Sequence, residues 1–167
     1  MSPTAKPDRL LAIYLNDHLA GATLGVELAK RLRASNAGDT EMAEPLASVC
    51  SEIETDRATL EHLMERLDIR RSRTKPAGAW AAEKLGRLKL NGQLTGYSPL
   101  SRLVELEMLL IGITGKLRLW KGLEHSLGEA RGEFAFAQLA ERAERQRAVV
   151  DELHLQAARR ALAHSPD

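Results

Sequence analysis

This chain of 167 residues has little of what usually announces an activity. It has one cysteine, Cys50, so no disulfide can form within it, and a reducing, cytoplasmic setting is the expectation. Aromatic residues make up only 4% while Leu and Ala abound, a balance that favours helix over sheet. Neither sign of charge dominates, with 24 Lys and Arg against 23 Asp and Glu. That excludes a global pull toward nucleic acid or an anionic membrane surface. The longest apolar run, Met108 to Thr114, is closed by Lys116 and falls far short of the roughly 18 residues of a membrane span. The opening MSPTAKPDRL lacks the apolar run of a secretory signal. With no convincing strand, there is no place for a glycine-rich phosphate loop between strand and helix. Cys50 lies in an apolar seam with no histidine at helical neighbour spacing, so it reads as an inert core thiol.

What the chain does have is helical periodicity. Leu11, Tyr14, Leu15, Ala22, Ala29 and Leu32 form a stripe that predicts a helix over about 7–35, with His18 inside it as a hydrogen-bonded core histidine. Gly21 and Gly25 on that helix are expected to let a neighbour approach closely. Leu46, Ile53, Leu60 and Leu67 are spaced by heptads and predict a second helix over about 41–67, with Asp56 and Arg57 placing charge halfway along its seam. The third long segment, about 98–125, is the most apolar and would run about 40 Å at 1.5 Å per residue. Ser98 is a suitable N-cap and Pro99 suits the first helical position. Phe136, Ala143, Val150 and Ala157 predict a last helix over about 133–163, with Arg147 mid-seam. The first and last connections are short and imply antiparallel neighbours. The middle one is long, and a short extra helix over about 77–90 is expected on it.

One polar residue stands out on the third helix. Glu107 lies one turn from Leu103, Leu110 and Ile111, so the stripe through those residues and Leu117 and Trp120 points it inward. A buried carboxylate is costly unless a cation or metal compensates it.

Four long helices with a long crossover between the second and third match the connectivity of ferritin-like bundles. Over nearly its whole length the chain resembles that superfamily: an all-α, antiparallel four-helix bundle in a single domain. The segments EIETDRATLEH, EKLGRLKLNG and SPLSRLVELE also resemble a bacterial family of small helical proteins with no assigned activity. The resemblance therefore implies a fold and no reaction.

Ferritin-like di-metal proteins take a Glu from each of two helices and a Glu-x-x-His pair from each of the other two. This chain departs from that pattern. Glu27 and Glu107 stand for the single glutamates, but the paired positions read Glu54-Thr-Asp-Arg57 and Glu144-Arg-Gln-Arg147. Arginine stays protonated and offers a metal no lone pair. The first expectation is a non-catalytic bundle without cofactor. In it Glu27, Glu54, Arg57, Glu107, Glu144 and Arg147 form a buried network in the metal's place, and a second copy of the chain is the candidate partner. The alternative is a di-iron or di-manganese protein handling oxygen, peroxide or iron, its two ions held by Glu27, Glu54, Glu107, Asp151 and His154. A further alternative is a bundle that takes an apolar ligand in a gap shaped by Gly21, Gly25, Gly112 and Gly115.

Overall fold

In the computed structural model, residues 9–72, 97–127 and 132–163 are described. They form four helices: α1 (Arg9–Ser35), α2 (Thr40–Arg66), α3 (Pro99–Leu127) and α4 (Phe136–Leu162). No strand occurs among the described residues. The short helix expected over about 77–90 lies outside them.

Local chemistry sets the helix starts. The Asp39 carboxylate accepts from the Glu41 amide at 3.2 Å and caps α2. Ser98 caps α3: its Oγ accepts from the Ser101 amide at 3.0 Å, and Pro99 occupies the first position, where no amide hydrogen is needed. Gly132 adopts a positive φ of 54° in the turn before α4, a conformation costly for any residue with a Cβ.

The helices form a ring. α1 packs against α2 and α3, and α4 packs against α2 and α3. The pairs α1/α4 and α2/α3 therefore face each other across the core. Partner numbers fall along one helix as they rise along the next: Glu107 meets His154, Lys116 meets Gln146 and Lys121 meets Glu144. On the other side of the ring Lys30 meets Glu54, while Asn16 reaches the Arg70 carbonyl beyond the end of α2.

The heptad seams of α2 and α4 are buried as their spacing predicts. Leu46, Ile53 and Leu60 line one, and Phe136, Ala143, Val150 and Ala157 the other. The reading of α3 is corrected. Its buried stripe runs through Leu103, Leu106, Leu109, Ile113, Leu117 and Trp120, and Ile111 is 73% exposed. Glu107 is six residues from Ile113, about 120° round the helix at 3.6 residues per turn, and it is exposed. Apolar residues lie on nearly every side of α3, so periodicity alone could not choose its inner face.

Candidate functional site

Charge does enter the middle of the bundle, on residues other than those first expected. Asp56 replaces an apolar residue on the α2 seam, three residues after Ile53 and four before Leu60, and is 2% exposed. A carboxylate so placed needs several donors. It has them. Lys116 Nζ of α3 donates to Oδ2 at 2.5 Å, and Gln146 Nε2 of α4 donates to the same oxygen at 3.1 Å. Arg142, one turn before Gln146 on α4, donates to Oδ1 from Nε at 2.9 Å and also from Nη2. Lys116 Nζ bonds Gln146 Oε1 at 2.5 Å, and Gln146 Nε2 also reaches Glu52 Oε2 at 2.9 Å. Burial pushes the Lys116 ammonium below the usual lysine range, and the Asp56 carboxylate pulls against that shift. The cluster fastens α2, α3 and α4 together across the core.

A second buried carboxylate lies nearer the start of α3. Glu105 is fully buried, with Arg31 Nε of α1 at 2.7 Å from Oε1 and the Tyr97 hydroxyl donating to Oε2 at 3.0 Å. The Arg31 contact is an ion pair that lacks hydrogen-bond alignment. Burial raises the Glu105 carboxyl despite Arg31 and Tyr97. Burial first, then the Glu105 charge, pushes Tyr97 up to about 12, although the Asn36 amide donates to its oxygen at 3.2 Å.

At the same end, Asp39 gathers Arg102 of α3 at 3.0 Å and Arg160 of α4 at 2.7 Å. Burial works to raise the Asp39 carboxyl, but the two guanidinium groups and the Glu41 amide outweigh it and hold the group below its ordinary value.

The residues singled out from sequence are dispersed. Glu27 is exposed. Glu54 is exposed and pairs with Lys30 at 3.1 Å. Arg57 is half-buried, with Glu61 as its ionic neighbour at 3.8 Å. Glu107 pairs at the surface with His154 at 3.1 Å. Glu144 pairs with Lys121 at 2.6 Å, and that hydrogen bond lowers its carboxyl. Arg147 and Asp151 are exposed. Of the set considered for two metal ions, only Glu107 and His154 meet. Among the described residues no three His, Cys, Asp or Glu side chains converge as metal ligands. The donor chemistry at the centre does not fit a di-metal group either, since lysine and arginine supply protons to Asp56 where a metal would need lone pairs. The sequence signal for the observed cluster was present. Asp56, Lys116 and Gln146 each fall at seam spacing, but a search for carboxylate-x-x-His pairs selects Arg147, one residue beyond Gln146.

Beside the cluster, between α1, α2 and α3, is a cavity of about 330 Å³. Ile53, Leu60, Leu109, Ile113 and Trp120 form its buried walls, and Tyr14, Asp17, Gly21 and Gly112 its exposed rim. The glycines do not serve close helix approach as expected. A Cβ built on Gly21, Gly25 or Gly112 would meet nothing within 4 Å. Their missing side chains open space instead.

No family model, curated protein or solved structure matches the chain. Among the described residues, no helix is long and apolar enough to cross a membrane.

Proposed function

We propose that the chain is a non-catalytic ferritin-like bundle, a structural or interaction module of the cytoplasm whose centre is held by a protonic charge cluster in place of two metal ions. The observation that carries this reading is Asp56, buried at mid-seam and saturated by Lys116, Arg142 and Gln146. A metal in a ferritin-like bundle neutralises inward carboxylates; here an ammonium and a guanidinium do so, and both ions of each pair keep their hydrogen bonds. The order of the ring supports the ferritin-like, antiparallel reading. α2 and α3 lie across the core from one another, which a long crossover from Leu67 to Ser98 accommodates and a tight hairpin would not. A second copy of the chain is the candidate partner.

The test is metal content. After aerobic incubation with ferrous iron and desalting, the purified protein is expected to hold well under one iron per chain. Two tightly bound irons per chain would overturn the reading and favour a di-iron carboxylate protein.

A further inference from the structure

The cavity between α1, α2 and α3 has buried apolar walls, and the charges along its lining cancel. Arg57 and Lys116 line it, and so do Asp17 and Asp56. The inner charges are already matched. Lys116 bonds Asp56 and Gln146, and Asp56 also receives Arg142 and Gln146. Arg57 has Glu61 as its ionic neighbour at 3.8 Å. Asp17 stands at the exposed rim, where solvent and salt screen its charge. The Trp120 Nε1–H and the Arg57 Nε–H have no hydrogen-bond partner, but both are enclosed by protein and present almost no surface to an occupant. His18 also lines the cavity, its ring edge-on to that of Tyr14 with the centroids 4.5 Å apart. Burial holds the imidazole below its ordinary value of 6.5 against the pull of Asp17, so it is neutral at neutral pH. A charged occupant would leave water for a space that holds no unmatched counter-charge, and burying an unpaired ion is costly. An uncharged occupant avoids that cost.

We infer that this cavity is a binding site for a compact, uncharged hydrophobic molecule of up to two fused rings, seated against Leu109, Ile113 and Trp120. Size supports that class. An apolar cavity of about 150 Å³ accepts benzene, and this one is roughly twice as large, enough for two fused rings. Ligand sites of this kind combine an apolar lining with a few polar groups. Neutral His18 suits a hydroxyl on such a ligand, because one ring nitrogen donates and the other accepts, and it calls for no charge. Gly21, Gly25 and Gly112 then have a purpose their helices do not otherwise explain: each weakens its helix relative to alanine and leaves room in the cavity. The site is separate from the metal question and stands whether or not iron binds.

The experiment is calorimetric titration of the full chain at neutral pH with 2-naphthalenemethanol and its two charged counterparts of the same shape, 2-naphthoate and protonated 2-naphthylmethylamine. One 2-naphthalenemethanol per chain is expected, bound at least about tenfold more tightly than either ion. Gly25→Leu and Gly112→Leu fill the space and are expected to weaken the alcohol at least about tenfold. Thermal unfolding should show both variants at least as stable as wild type, because leucine is the better helix former. Gly115→Leu is the control: its position is equally open but lies outside the cavity lining, so binding should be unchanged. Absence of 2-naphthalenemethanol binding to wild type would overturn the site. Binding that survives both filling variants would overturn its location. Either ion bound as tightly as the alcohol would overturn the assignment of an uncharged ligand.

Discussion

Lys116 Nζ lies 2.5 Å from Asp56 Oδ2 and 2.5 Å from Gln146 Oε1, so one ammonium joins three of the four helices at mid-bundle. Its carboxylate partner is held from the other side by Arg142. The Asp56 side chain is 1% exposed and that of Lys116 13%, so solvent screens the pair little. The cluster's effect is chiefly on register. The backbones of α2 and α3 do not come close, and Lys116 reaching Asp56 fixes their relative height across the core.

That geometry predicts unequal losses. Removing Asp56 leaves two cations without their shared anion, and breaking a buried pair in this way costs roughly 3 to 5 kcal/mol. Asp56→Leu should therefore fall in that range by urea unfolding. Lys116→Met should cost less, because Arg142 and Gln146 still satisfy Asp56. The double variant should be clearly more stable than the sum of the two losses, since each member is then absent with its partner. Additive losses of under about 1 kcal/mol each would mean that the cluster is solvated like a surface pair.

The same cluster shows how far the sequence could be read. The seams of α2 and α4 were legible because polar and apolar residues alternate strongly at helical spacing, and Asp56 stood out on the first. α3 was not legible to the same degree. Leu106, Leu109, Leu110 and Ile111 are all apolar, and only packing decides that Ile111 faces out while Glu105 and Lys116 lie on the flank of the buried stripe. A rotation error of about a third of a turn was enough to exchange Glu105 for Glu107 as the inward carboxylate. The cavity was legible in part. Glycines on α1 and α3 suggested a gap, whereas the unpartnered Trp120 indole belongs to three-dimensional placement alone.

Glu107 and Arg147 supply the contrasting prediction. Glu107 is half exposed beside His154, and Arg147 is exposed. Surface ion pairs contribute about 0 to 1 kcal/mol. Glu107→Ala and Arg147→Met should each shift the unfolding free energy by less than about 1 kcal/mol, and their effects should add. A loss of several kcal/mol at Glu107 would place that carboxylate back in the core.

Asp39 combines a helix cap with an ion-pair hub. Asp39→Ala removes the cap on α2, worth typically about 1 kcal/mol, and strands Arg102 in the same step. Asp39→Asn keeps a capping oxygen and loses only the charge, so it should be the milder change. The folded carboxyl is held below its ordinary value of 3.8. Its contribution is therefore fully present above that value and is lost as pH falls through the lower, folded one. Urea midpoints for wild type and Asp39→Asn, measured from neutral pH to about pH 2, should converge at the acid end. A gap that stays constant over that range would show that the charge of Asp39 does not act through the two arginines.

Tyr97 and Glu105 give the last prediction, because one hydroxyl touches two titrations. In Tyr97→Phe, Glu105 Oε2 loses its donor while remaining buried beside Arg31. An unsatisfied buried acceptor costs about 1 to 3 kcal/mol, more when charged. The Glu105 carboxyl is raised by burial, so its contribution is complete below its ordinary value of 4.5 and is lost as pH rises through the folded value. The Tyr97→Phe loss should accordingly grow as pH rises from 4.5 through the folded value, where Glu105 gives up its proton, and the difference between variant and wild type cancels groups the two share. At the alkaline end the sign is the same. Tyr97 is raised from 10.0 to about 12, so its contribution is full below 10 and is lost as pH rises through about 12. In a Tyr14→Phe background, absorbance at the phenolate band should show the remaining tyrosine ionising near 12 in the folded protein. Ionisation near 10, together with a Tyr97→Phe loss that does not change between acid and neutral pH, would mean that the hydroxyl faces water and that Glu105 is satisfied without it.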